Sequence, residues 1–355
     1  MIEKLKNSLD KNTAALIVDP ANRRYYTGMN TSNGYIVATA DKACFFTDFR
    51  YITAAKNKVY KNVSVALIEK RMGETIKEYL AGLGIKTVLF EENYLSYAMA
   101  DGVKQALPEY EFKGGQKLIS SFREIKTADE IAATVEAQKI TDASFLHICD
   151  YIHENKNKGI TEKDIALELE FDMRKKGSGA MPFSIIVASG ENSALPHAVP
   201  SDRQIREGDF VTMDYGSTFG GYCSDMTRTI AVCHVTDEMK KIYDTVLEAQ
   251  LTAIKGIKAG IIGKDADSLA RDVIVNTGYG QYFGHSLGHS VGLEVHESPN
   301  FSQGYLNPIP ENAILSVEPG IYIEGFCGVR IEDLVVVKKD GVEDITGSDK
   351  SLIIL

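Results

Sequence analysis

The run Phe210-Val-Thr-Met-Asp-Tyr215, answered after a turn by Gly221-Tyr-Cys-Ser-Asp-Met-Thr-Arg-Thr-Ile230, sets the reading of the whole chain. Both stretches are rich in β-branched and aromatic residues and have strand length. Side chains alternate along a strand, so Thr212 and Asp214 face one way while Val211, Met213 and Tyr215 face the other. Aspartate is disfavoured in strands, yet Asp214 and Asp225 stand 11 positions apart in this pair. The pattern recurs at 313–318 and 329–337, which place Glu318 and Glu332 14 positions apart, with Arg330 on the Glu332 face at i, i+2. Helix-like segments at 237–258 and 266–277 accompany the strand pairs. The repetition predicts two related α/β halves facing one another.

Four acids on central strands need compensation, because a buried unpaired carboxylate costs several kcal/mol or more. A pair of divalent cations compensates several at once. The second dense signal is His285-Ser-Leu-Gly-His289-Ser-Val-Gly-Leu-Glu-Val-His296-Glu297, where three of the chain's seven histidines fall within 12 residues among glycines. Imidazole suits Mn, Fe, Co and Zn, and carboxylates favour the harder members, so the set points to Mn²⁺, with Co²⁺, Fe²⁺ or Zn²⁺ as alternatives. A tetrahedral structural zinc site wants cysteines, and none are nearby.

Outward from this centre, Thr127-Ala-Asp-Glu130 is a capping-box pattern opening a helix to about residue 153, and Thr161-Glu-Lys-Asp164 opens another ending near Gly177. Upstream, strand-like runs at 14–18, 35–38, 44–47, 63–67 and 87–90 and helix-like stretches at 51–58, 73–80 and 94–107 form an α/β region. A chain of 355 residues exceeds one ordinary core. The expected division is an α/β N-terminal domain over 1–122 and an α+β domain over 123–355.

The net charge of −10 argues against nucleic-acid and anionic-membrane partners, which require a basic face. No apolar run approaches a membrane span, the charged N-terminus is unlike a secretory signal, and five cysteines without a Cys-x-x-Cys pair read as reduced thiols. These features predict a cytoplasmic protein. Gly278–Gly284 lacks the spacing of a dinucleotide fingerprint, and Gly260–Lys264 that of a phosphate loop, so both read as turns at helix ends.

Four blocks in order and spacing resemble the pita-bread-fold metallopeptidases, and among them the Xaa-Pro peptidases, aminopeptidase P and prolidase. They are Ala188-Ser-Gly-Glu-Asn-Ser-Ala-Leu-Pro-His197, Met213-Asp214 through Asp225-Met-Thr-Arg-Thr229, the 285–297 run, and Val317-Glu318-Pro-Gly-Ile-Tyr322 through Gly328-Val-Arg-Ile-Glu-Asp333. Arg24-Tyr-Tyr-Thr-Gly28 and Thr47-Asp-Phe-Arg-Tyr51 are similar to the creatinase/prolidase N-terminal domain. The resemblance implies a pita-bread catalytic domain with pseudo-two-fold symmetry that cleaves bonds to proline through a metal-bridging hydroxide. It implies Asp214 on one metal, Asp225 and Glu332 bridging both, and His289 and Glu318 completing the second. Glu318 would be the general base, His197 and His296 would line the substrate side and stabilise developing charge, and His285 and Arg330 would contact substrate or orient ligands. It also implies a homodimer. Two rival readings are an aminopeptidase of other specificity, of methionine-aminopeptidase type, and a non-catalytic binding protein on the same fold.

Overall fold

The computed structural model describes all residues, 1–355, in two units, Met1–Arg123 and Glu124–Leu355. The first unit runs α1 (Ile2–Asn7), β1 (Thr13–Ile17), α2 (Pro20–Thr27), β2 (Tyr35–Thr39), β3 (Ala43–Thr47), α3 (Ile52–Lys58), β4 (Ser64–Leu67), α4 (Met72–Leu80), β5 (Thr87–Phe90), α5 (Tyr97–Ala106), β6 (Glu111–Gly114) and α6 (Gln116–Ser121). Its strands form one sheet in the order β4-β3-β2-β1-β5-β6. The sheet is mixed: β2 pairs antiparallel with β1 and β3, and the remaining neighbours are parallel. Ala14, Leu16, Val37, Phe46 and Val88 pack with Ile76, Leu80 and Val103 from α4 and α5 to close one face. The sequence reading omitted α2, although its signals are local. Asp19 caps it by accepting from the amides of Ala21 and Asn22, Pro20 takes the first turn, and Gly28 ends it at φ 75°.

The second unit opens with α7 (Ala128–Asn155) and α8 (Glu162–Lys175), both started by capping boxes, the expected one of Thr127 with Glu130 and a second of Thr161 with Asp164. They are followed by β7 (Ile186–Ser189), β8 (Phe210–Tyr215), β9 (Thr218–Phe219), β10 (Tyr222–Cys223) and β11 (Met226–Ala231). Then come α9 (Asp237–Gly256), α10 (Gly263–Asn276), β12 (Gly288–Ser290), β13 (Glu297–Phe301), β14 (Ile314–Val317), β15 (Gly320–Ile323), β16 (Cys327–Arg330), β17 (Asp333–Lys338) and β18 (Gly341–Asp344). One sheet is β11-β8-β7 and the larger is β13-β12-β14-β17-β18.

Alternation along β8 divides two cores. Val211, Met213 and Tyr215 pack with Phe145, Ile148, Ile165 and Leu169 of α7 and α8. The core around α9 and α10 instead gathers Ile242, Val246, Ala270 and Ile274 with Leu315, Val317 and Val335. The two antiparallel pairs β8–β11 and β14–β17 repeat one layout. Asp214 lies opposite Thr227 and Val317 opposite Asp333.

Two expected strands are interrupted. The 221–230 stretch breaks at Ser224–Asp225, and 329–337 breaks at Ile331–Glu332. Of the four acids only Asp214 lies within a strand. Asp225 directly precedes β11, Glu332 directly precedes β17, and Glu318 directly follows β14. At the breaks the backbone bonds across rather than along the pair: the Cys223 amide donates to Gly292 O and the Glu332 amide to Thr227 O. Leaving the ladder lets both side chains turn from the sheet face toward a shared space, whereas an unbroken strand forces alternation.

Candidate active site

That space is a cavity of about 520 Å³. Its wall includes all nine residues singled out in the sequence: His197, Asp214, Asp225, His285, His289, His296, Glu318, Arg330 and Glu332. One ligand atom each from Asp225, His289 and Glu332 lies within 4.8 Å of the others. Nε2 of His289 is 3.3 Å from Glu318 Oε1 and 3.7 Å from Asp225 Oδ2. On the far side of the cluster, Arg330 Nη2 donates to Asp214 Oδ2 at 2.6 Å.

Asp214 and Glu332 are each held by one oxygen and left free at the other. Thr227 Oγ1 donates to Glu332 Oε2 at 2.7 Å while accepting from Arg330 Nε at 3.0 Å. Ser316 Oγ donates to Glu318 Oε1 at 3.0 Å and accepts from the His289 amide at 3.0 Å. Asp214 Oδ1, Asp225 Oδ1 and Glu332 Oε1 are buried without a hydrogen-bond partner. Three orphaned acceptors in one cluster are expensive to bury.

The titration behaviour has the same origin. Burial, then the neighbouring carboxylates, push Asp225 and Glu332 well above the usual carboxylate range. Burial also raises Asp214, partly offset by Arg330. Burial works against ionising Glu318 and His289 too, but their mutual hydrogen bond and charge prevail, taking Glu318 to about 2 and His289 to about 9. Four carboxylates facing one guanidinium leave an excess of negative charge. Oxygen-rich ligands with a single imidazole fit divalent cations, which would satisfy the orphaned oxygens.

Tyr322, whose part is not evident from the sequence pattern, links two of these groups. Its hydroxyl accepts from Arg330 Nη1 at 2.9 Å, so its proton points to His285 Nε2, also at 2.9 Å. His285 Nδ1 lies 2.8 Å from the Ser286 carbonyl, which only accepts, so Nδ1 carries the hydrogen. Burial lowers the His285 pKa, in keeping with that neutral tautomer. A chain of hydrogen bonds thus runs Asp214–Arg330–Tyr322–His285. Both ring nitrogens of His285 and all three Arg330 nitrogens are committed, which favours orienting over substrate contact for this pair. The His289 and His296 rings meet edge-on at 4.3 Å between centroids, and burial followed by the His289 charge lowers the His296 pKa.

Sequence reasoning also missed Glu162, the first residue of α8. It is fully buried and accepts from the Ser189 amide (2.7 Å) and hydroxyl (2.8 Å), the Ser201 amide (3.0 Å) and hydroxyl (2.7 Å), and Asn192 Nδ2 (3.1 Å). It therefore ties together both ends of the segment that carries His197. The only local hint was an acid beside a capping threonine, which the N-terminus of a helix explains equally well.

Comparison with known proteins gives these features a setting. The model of the creatinase/prolidase N-terminal domain matches residues 1–125, and that of metallopeptidase family M24 matches residues 132–339. An Xaa-Pro dipeptidase of Pyrococcus furiosus is 36% identical, with 99% of each chain covered. The solved Xaa-Pro dipeptidase from Bacillus anthracis superposes with a TM-score of 0.95 at 42% identity, covering 100% of this chain and 99% of its own. The X-Pro aminopeptidase from Thermotoga maritima gives 0.90 at 37% identity, with 99% and 100% covered. This chain is a metallopeptidase with the pita-bread fold and belongs to family M24, in its Xaa-Pro peptidase branch.

Proposed function

We propose that the enzyme hydrolyses the bond between any first residue and a following proline, using two divalent metal ions, manganese foremost. The observation that carries this reading is the convergence of four carboxylates and one imidazole on one cavity, with three orphaned oxygens among them. Asp214, Asp225, His289, Glu318 and Glu332 would hold the ions. Bound there, such a pair lowers the pKa of a water and polarises the scissile carbonyl.

The chain's own groups do the rest. Glu318, oriented by Ser316, accepts the proton of the attacking water and returns it to the leaving nitrogen. His197 and His296 line the cavity and donate to the carbonyl oxygen as its charge develops. Asp214 is fixed by Arg330, whose own position is set by Thr227 and Tyr322. Phe183, Ile186 and Val295 give the cavity an apolar side that suits a pyrrolidine ring. Proline's nitrogen has no hydrogen to donate, so its recognition depends on such shape rather than on a backbone acceptor.

No helix is long and apolar enough to cross a membrane, and all five cysteines are free. These facts support a place in the cytoplasm. A homodimer completes the reading, supported by the exposure of Leu167 and Phe171 one turn apart on α8. The deciding experiment strips the protein with a chelator, restores Mn²⁺, and compares Ala-Pro substrates with Met-Ala peptides. Metal-dependent release of alanine from Ala-Pro is expected. Preference for Met-Ala, or no metal dependence, overturns the reading.

A further inference from the structure

Two of the histidines that line the cavity stand at matching places on one hairpin. β12 and β13 pair Ser290 with Glu297, and residues 291–296 turn back from one strand to the other. Ser290 directly follows His289, and Glu297 directly follows His296. Whatever holds this pair therefore holds the main chain from which both imidazoles leave. The His296 ring packs edge-on against His289 and makes no side-chain hydrogen bond, so its aim depends on that main chain.

Lys126 reaches both members of the pair. Its Nζ donates to Ser290 Oγ at 2.8 Å and to Glu297 Oε2 at 3.3 Å. The Lys126 and Glu297 side chains are only 2% and 4% exposed, and Ser290 is fully buried. The lysine is itself fixed: its amide donates to Asn312 O at 3.0 Å, and the next residue, Thr127, caps α7. Glu297 passes the restraint into the turn. Its Oε1 accepts from the Glu294 amide at 3.1 Å, Glu294 O accepts from the Gly292 amide at 2.9 Å, and Gly292 O accepts from the Cys223 amide at 2.7 Å. The carboxylate lies so close to Gly292 that a Cβ there would come within 2.6 Å of Oε2. The turn is built around one carboxylate, and one ammonium group holds that carboxylate. A buried ion pair is a weak source of stability, since apolar residues of similar volume often serve as well or better. Stability alone therefore does not account for Lys126, whereas placement of the residues beside its two partners does.

We propose that Lys126, through its ion pair with Glu297 and its bond to Ser290, is a positioning residue that aims His296 at the carbonyl oxygen of the scissile bond. The inference rests on the role given to His296 above. It is tested with the full chain loaded with Mn²⁺, on Ala-Pro, in a cycle of Lys126→Met, His296→Ala and the two combined. Lys126→Met leaves Glu297 buried without its ammonium partner, so the charge-free pair Lys126→Met/Glu297→Gln is taken through the same cycle. Loss of His296 is expected to lower kcat about a hundredfold or more, the scale of a lost oxyanion donor. Lys126→Met and the charge-free pair each lower kcat at least about tenfold with KM changed by less than about threefold, because a donor misplaced by an ångström stabilises the transition state poorly. In the His296→Ala background the same changes lower kcat by less than about threefold more, since the group they aim is gone. Turnover of the charge-free pair within about twofold of the natural chain overturns the inference. Losses that multiply in full in the His296→Ala background also overturn it, because they mark a part that supports folding alone. Both results spare the reading of His296. Near-normal turnover of His296→Ala overturns that reading and this inference with it.

Discussion

Glu162→Gln probes the segment that carries His197 without touching any of the five residues assigned to the metals. The carboxylate receives six contacts from Ser189, Asn192 and Ser201, three on each oxygen. Glutamine keeps one acceptor oxygen but turns the other into an NH₂ donor. Whichever way the amide lies, one backbone amide, of Ser189 or of Ser201, then faces a donor in a site from which water is excluded. A buried donor left unsatisfied costs about 1–3 kcal/mol, and exchanging charged for neutral hydrogen bonds adds roughly 1 kcal/mol more, giving about 2–4 kcal/mol in all. Hydrogen exchange at the Ser189 and Ser201 amides measures this directly. Protection at one or both is expected to drop about 30-fold to several hundred-fold, since about 1.4 kcal/mol is a factor of ten. Loosening of His197 should lower kcat/KM on Ala-Pro roughly tenfold, with metal affinity unchanged. Unaltered exchange at both amides together with normal turnover would refute the view that Glu162 positions this segment.

Three other perturbations follow from the same geometry. Glu318→Gln should leave a folded protein with kcat reduced at least about a hundredfold, the scale of a lost general base; near-normal turnover in saturating Mn²⁺ would remove Glu318 from that role. Gly288→Ala places a Cβ 1.9 Å from the Ser316 carbonyl oxygen, which forces β12 away from β14 and carries His289 with it; a stability loss of about 1–3 kcal/mol and weakened metal binding are expected by calorimetry. In the first unit, burial outweighs the hydrogen bonds from the Val18 and Asp19 amides and Asn22 and raises Glu91 from 4.5 to about 7. The folded form thus binds the proton more tightly than the unfolded one, so the stability of this unit should fall as pH rises from 4.5 to 7, by roughly 3 kcal/mol in total. A Glu91 carboxyl resonance titrating near 4.5, with a flat stability profile over that interval, would contradict this.

Much of the architecture is written locally. The capping boxes at Thr127 and Thr161, the alternation at 211–215 and the paired acids at 214/225 and 318/332 are statements about dihedral preference and side-chain period, which a short window contains. The Asp19-Pro20…Gly28 signals of α2 are equally local. The breaks before Asp225 and Glu332 were not legible, because what ends each strand is a bond to a distant partner, Gly292 O for Cys223 and Thr227 O for Glu332.

By itself, then, the sequence determined which side chains could bind cations and which elements would carry them. Only the tertiary structure decided that Thr227 reaches Glu332, that Arg330 reaches Asp214 across 116 positions, that Tyr322 joins Arg330 to His285, and that Glu162 anchors the His197 segment. The reason is that such contacts depend on the register between strands and helices far apart along the chain, and register is set by the packing of whole faces rather than by the residues that finally touch.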